Sequence, residues 1–366
     1  MLLLWTIRIN EMIEVKDKKG GWILWSTSLF FILLIIACSQ APEAPVLDRY
    51  QFEKPSHFPE PTYTFRNNQV HEKGFKLGRR LFNDPTLSRD GSVSCSSCHL
   101  QSHAFADTWL HPMSIGVDGR EGKRNAPPLF NLAFHKEFFW DGGVTHLDFT
   151  PILAFENEVE MDIEFPEVVA RIQRHPEYPR LFKEAFDVDE VTGPFVLHAL
   201  SQFMLMMVSA DSKYDRYIKG DSKALTSLEL DGLKLFRQHC ESCHQEPLFT
   251  DLNYRNNGAQ RTITDFGREI VTERIQDRGK FKVPSLRNIE VTSPYMHNAR
   301  FETLRQVLDH YTDGVTEQVT IDPKVFADGK PVIALTSDEK EKIIAFLKTL
   351  TDPGFLSNPI FFNTND

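Results

Sequence analysis

Two copies of Cys-x-x-Cys-His, Cys95-Ser-Ser-Cys98-His99 and Cys240-Glu-Ser-Cys243-His244, constrain this chain more than any other feature. Each spells a c-type haem attachment site. Two thiols add to the haem vinyl groups, and the next residue presents an imidazole to the iron as proximal ligand. The competing readings of Cys-x-x-Cys are a zinc ribbon and a redox disulfide. A zinc site usually draws its cysteine pairs from within roughly 15–20 residues of one another, whereas these pairs lie in different halves of the chain. A redox pair needs no histidine directly after the second cysteine, and here one stands there twice. The pattern predicts two covalently bound c-type haems, with His99 and His244 on the irons.

Four of the five cysteines are used in these motifs. The fifth, Cys38, follows an apolar run over residues 22–37 that is preceded by Lys16, Lys18 and Lys19. Ile35-Ile36-Ala37-Cys38 resembles the lipobox of bacterial lipoproteins, and the run falls short of the ~20 residues a spanning helix needs. A cleaved signal peptide leaving a lipid-modified Cys38 is favoured over a transmembrane anchor. Haem attachment of this type takes place outside the bacterial cytoplasm, so the expected location is the periplasm, with the membrane reached only through the lipid.

The formal charge of -10 argues against a nucleic-acid partner and suits a basic electron-donor protein. The 366 residues, 41% of them hydrophobic, suffice for more than one core. Residues 1–38 read as signal peptide and lipobox, and 39–66, rich in Pro and Glu, as a tether. Residues 67–220 read as a first haem domain, 221–352 as a second and 353–366 as a tail. Val70, Gly74, Leu77 and Leu81 recur at helical spacing ahead of the first motif. Thr226-x-x-Glu229 is a capping box opening the helix that leads into Cys240, and Thr336-x-x-Glu339 opens a last helix. Phe-x-Asp follows each motif, at Phe105 and Phe249, as a weak internal repeat. Met204, Met206 and Met207 read as core filling. The expected fold is mainly α: two cytochrome c-like haem domains with long loops.

Arg124-Asn125-Ala126-Pro127-Pro128, Phe139-Trp140-Asp141-Gly142, Val159-Glu160-Met161, Val283-Pro284-Ser285-Leu286-Arg287-Asn288 and Thr292-Ser293-Pro294-Tyr295-Met296-His297 resemble the bacterial dihaem cytochrome c peroxidases and their MauG relatives. The likeness runs in order from about Gly74 to Leu350. It implies that hydrogen peroxide reacts at the haem on His99 and that the haem on His244 exchanges electrons, with Trp140 between them. It implies Glu160 as the acid-base group over the first haem; on the residues alone, Glu160 is one of a solvated run from Glu156 to Glu164. It also implies a calcium ion held by Asn125, Thr292 and Pro294, whose oxygen donors suit a hard cation.

Three positions depart from the family pattern. Thr150 stands where many members carry a glutamine. Val117 occupies the place of the histidine that caps the first haem in members needing activation; His111 and Met113, the other candidates in that loop, read as a surface histidine and a buried methionine, so the first haem is expected to stand open, as in MauG. Tyr311 stands where the peroxidases carry the methionine ligand of the second haem; because tyrosine is the ligand in MauG, the resemblance favours Tyr311 as the sixth ligand here, with Met296 as the competitor. The expected protein is a dihaem peroxidase fed by a small electron-transfer protein, a cytochrome c or a cupredoxin. The alternatives are a MauG-like enzyme oxidising side chains of a partner protein and a dihaem electron carrier without catalysis.

Overall fold

The computed structural model describes residues 50–108 and 110–362. The signal peptide, Cys38 and the tether before Tyr50 lie outside the described residues. The rest is built from short helices joined by long loops: α1 (Glu72–Phe82), α2 (Cys95–Cys98), α3 (Thr150–Glu156), α4 (Phe165–Arg174), α5 (Tyr178–Phe186), α6 (Gly193–Leu205), α7 (Lys213–Ile218), α8 (Ser227–His239), α9 (Arg268–Thr272), α10 (Leu304–Asp309), α11 (Ser337–Lys348) and α12 (Pro353–Leu356). The described strands form two antiparallel pairs, β1 (Tyr254–Arg255) with β2 (Phe281–Lys282) and β3 (Phe326–Ala327) with β4 (Lys330–Pro331).

The same device precedes each haem motif. The helix leading in, α1 or α8, lies along a later helix of its own half, α6 or α11. The close approach is made at a glycine. A Cβ on Gly78 would lie 1.9 Å from the carbonyl oxygen of Ala199, and one on Gly232 would lie 2.0 Å from that of Lys342. The capping boxes at Thr226/Glu229 and Thr336/Glu339 both form, fixing where α8 and α11 begin.

Two aromatic-rich cores result. Phe75, Phe82, Phe105 and Phe203 anchor the first, together with Met204 and Met207, while Tyr214, Phe236, Phe249 and Phe346 anchor the second. The packing departs from the sequence reading at three places. Phe58 and Tyr63 are buried in the first core, so from Tyr50 onward the stretch read as tether is folded. Its aromatic side chains have no helical period, which hid their packing. Likewise, the stretch read as tail caps the first core: Asp352 accepts from the Phe355 N–H to open α12, and Phe355 and Phe361 are buried beside Phe105. The second core takes in Tyr214 on α7, ahead of the boundary expected near residue 220.

One buried ion pair ties the N-terminal segment to the second core. Arg287 and Asp215, both fully buried, form a bidentate pair with two contacts of 2.8 Å. His57 Nε2 lies 2.9 Å from Asp215 Oδ1, and the Arg287 guanidinium also covers the ring of Phe58. Burial alone would raise the Asp215 carboxyl, but Arg287 and Ser212 outweigh it and hold the group down at about 2.

Candidate active site

The two haem motifs present their histidines in the same way. His99 Nδ1 lies 2.6 Å from the carbonyl oxygen of Phe105, and His244 Nδ1 lies 3.2 Å from those of Phe249 and Pro284. A carbonyl accepts only from a protonated nitrogen, so Nδ1 carries the hydrogen and Nε2 keeps its lone pair for a metal. Phe105 and Phe249 share a left-handed backbone, with φ of 57° and 56°. The Phe-x-Asp repeat is therefore the turn that aims each carbonyl back at its histidine. Burial holds both imidazoles below their ordinary pKa. None of the four motif cysteines is drawn into a disulfide, so all four sulfurs remain for haem attachment.

A cavity of about 990 Å³ opens beside the first motif, lined by Cys95, Cys98, His99, Thr150, Glu160 and Trp140, with Lys282 and Pro284 contributed by the second half. It is at the upper end of the usual range of small-molecule and cofactor sites, ~300–1,000 Å³. Glu160 enters from the loop after α3, and its Oε1 accepts from Asn157 Nδ2 at 2.7 Å. Burial raises the Glu160 carboxyl to about 7, against the opposing pull of Asn157. That is where a group exchanging protons near neutral pH is most effective. Thr150 is spent locally, its hydroxyl donating to the Leu147 carbonyl at 2.8 Å.

Trp140 is gripped from both halves. Its indole N–H donates to the carbonyl of Asn125 at 2.8 Å, and its own carbonyl accepts from the Lys282 N–H at 2.7 Å. Arg124 reinforces this join, reaching Asp141 at 2.6 Å and Asp265 at 2.6 and 2.8 Å. The Asn125 N–H donates to the carbonyl of His297, so the segment carrying Asn125 meets the one carrying Thr292 and Pro294. The Thr292 hydroxyl itself turns back toward Ile289.

The loop before Arg124 brings neither remaining cap candidate onto the cavity wall: His111 and Met113 are not among the lining residues. His111 Nδ1 faces Asp107 at 3.5 Å with its side chain 45% exposed. Val117 is fully buried, and its N–H donates to the carbonyl of Glu160. At the second motif, Tyr311 Oη and Met296 Sδ both lie on the amide of Asn257, at 3.1 and 3.2 Å. Burial raises the Tyr311 phenol to about 12, and the nearby Cys243 and Cys240 add to the shift.

The family model for the di-haem cytochrome c peroxidases matches residues 72–223. The cytochrome c551 peroxidase of Nitrosomonas europaea is 35% identical over 281 residues, covering 75% of this chain and 79% of that protein. The methylamine utilization protein MauG of Methylorubrum extorquens is 32% identical over 318 residues, covering 84% and 86%. The chain belongs to the dihaem cytochrome c peroxidase and MauG family. The crystal structure of a MauG-like protein associated with microbial copper homeostasis superimposes with a TM-score of 0.76 at 32% identity, covering 86% of this chain and 99% of that one. The mainly helical fold is thus that of the family, and the chain is an oxidoreductase of the peroxidase type.

Family membership implies two c-type haems. The residues fit them: at each motif an imidazole whose Nδ1 faces a carbonyl, leaving Nε2 for a metal, stands beside two cysteines that form no disulfide, and at the first a large cavity adjoins them. Sequence reasoning missed Asn157, Asn257 and Lys282. Asn157 sits inside an acidic run, and Asn257 in Asn256-Asn257-Gly258 reads as a turn. Only the folded chain brings them to Glu160 and Tyr311. Lys282 reads in sequence as one of a run of cations with Arg278 and Lys280, yet burial in the cavity wall lowers its ammonium to about 8.

Proposed function

We propose that this chain is an exported peroxidase that reduces hydrogen peroxide to water, with Glu160 as acid-base group and electrons entering through the second haem site. Bound haem supplies the redox chemistry, an iron that meets peroxide and passes electrons. The protein supplies the rest. Glu160 takes the proton from the near peroxide oxygen and delivers it to the far one, so that the departing group leaves as water. Reduction to two waters consumes two protons and two electrons. Those electrons come from a cytochrome c or cupredoxin and pass Trp140, whose contacts to Asn125 and Lys282 join the two halves. Of the cations on the cavity wall, Lys123, Arg124 and Lys282, Arg124 is already paired with Asp141 and Asp265, which leaves Lys123 and Lys282 as those suited to haem propionates. Asn125, Thr292 and Pro294 are proposed to hold calcium where the two halves meet.

The observation that carries this reading is a carboxyl raised to about 7 in the same cavity as His99. The positions of His111, Met113 and Val117 support a first haem that is open without activation. The proposed setting is the periplasm, with a lipid on Cys38. Among the described residues no helix is long and apolar enough to cross a membrane. Tyr311, placed near Cys240 and Cys243, favours one second reading, a MauG-like oxidation of a partner protein's side chains. Peroxide consumption by the dihaem protein, assayed with small cytochromes and cupredoxins, tests the proposal. Turnover with one of them supports the peroxidase, whereas reaction with peroxide but no turnover with any donor points to the second reading.

A further inference from the structure

The second haem site holds more than one side chain able to ligate iron. Asn257 Nδ2 lies 3.1 Å from Tyr311 Oη and 3.2 Å from Met296 Sδ. The amide is fixed in orientation, because its Oδ1 accepts from the Ala259 N–H at 3.1 Å, leaving the N–H pair to face the two ligand atoms. The backbone is fixed as well, the Asn257 carbonyl lying 3.0 Å from His310 Nε2. Both ligand candidates come from unusual backbone. Tyr311 lies in a widened helical turn, His310–Gly314, of the kind that re-aims side chains at functional sites. Met296 has φ of 76°, a left-handed conformation that a long, unbranched side chain seldom adopts.

We propose that the second haem site carries two alternative sixth ligands, Tyr311 and Met296, and that Asn257 is the positioning residue that selects between them. This rests on the reading of Tyr311 as the resting ligand. A phenolate oxygen accepts a charge-assisted hydrogen bond from the amide, stronger than any that a neutral thioether accepts. The Asn257 N–H therefore biases ligation toward Tyr311. Met296 is held on the same nitrogen as the reserve, and takes the iron when the phenol oxygen or the amide donor is removed.

The test is spectroscopic and uses the intact dihaem protein in its oxidised form. Tyr311→Phe is expected to keep a low-spin second haem and to gain the near-infrared sulfur-to-iron charge-transfer band; Tyr311→Phe with Met296→Leu is expected to lose both. Asn257→Asp, nearly isosteric but without the N–H, and Asn257→Ala are each expected to shift the otherwise unaltered protein toward the sulfur-ligated spectrum, with two haems retained as the check on folding. A high-spin haem in Tyr311→Phe overturns the reserve ligand while leaving Tyr311 as the resting one. Unchanged tyrosinate ligation in both Asn257 variants overturns the selecting role. Sulfur ligation already present in the unaltered protein overturns the reading of Tyr311 itself, and the proposal with it.

Discussion

The side-chain amide of Asn157 donates to a carboxylate oxygen of Glu160 at 2.7 Å, opposing the burial that raises that carboxyl to about 7. The two effects set the working range of the proposed acid-base group. Glu160 must be ionised to accept the first peroxide proton, so the rate of the peroxide reaction should fall as pH drops below about 7. Asn157→Ala removes the contact that favours the carboxylate, and the falling limb should move to higher pH. Glu160→Gln should slow the reaction by about 10²–10⁴-fold while leaving both haem spectra in place. Stopped-flow rates across pH check all three, and a full-speed Glu160→Gln enzyme returns Glu160 to the solvated run it occupies in sequence.

The haem motifs make a compositional prediction. Cys95→Ala or Cys240→Ala should each yield protein with one covalent haem that survives acid-acetone extraction, or too little stable protein to isolate. Two covalent haems per chain in either variant would contradict the assignment.

The two haem motifs were legible in the sequence because covalent attachment, which family membership implies, needs a contiguous signature. Cys95, Cys98 and His99 must stand together in the chain to meet one ring, and so must Cys240, Cys243 and His244. The main helices were legible for the same reason: the capping boxes at Thr226 and Thr336 are local. What stayed hidden depends on how the loops fold: Asn257 meets Tyr311 from 54 residues away, and Asn157 reaches Glu160 only through the turn that follows α3. Asn157 and Asn257 are ordinary residues until folding brings each to a functional side chain. Phe58 and Phe361 sit in irregular stretches, so no period marked them as core, although each is about 5% exposed.

The Arg287–Asp215 pair should bear heavily on stability. Asp215→Ala leaves a fully buried guanidinium without its carboxylate, a loss that typically costs about 3–5 kcal/mol. Because the Asp215 carboxyl is held down at about 2, its contribution is complete above the ordinary carboxylate range and is lost as pH falls toward 2. Denaturant midpoints of the parent and variant at neutral and acid pH should show the gap narrowing with acidification. A gap independent of pH would contradict this account.

If calcium sits where Asn125, Thr292 and Pro294 are proposed to hold it, chelation should disturb Trp140, whose indole is tied to the Asn125 carbonyl. Electron transfer between the two haems should slow and recover on adding calcium back, while haem content stays constant. No response to chelation, in protein shown to have lost its calcium, would remove that ion from the account.

The most direct test of the central claim, a peroxidase whose first haem stands open, is electron paramagnetic resonance of the fully oxidised protein followed by stopped-flow mixing with peroxide. One high-spin and one low-spin ferric haem, with reaction at once and without pre-reduction, is the predicted result. Two low-spin haems and no reaction until one electron is added would contradict it, and would place a cap from His111 or Met113 over the first haem.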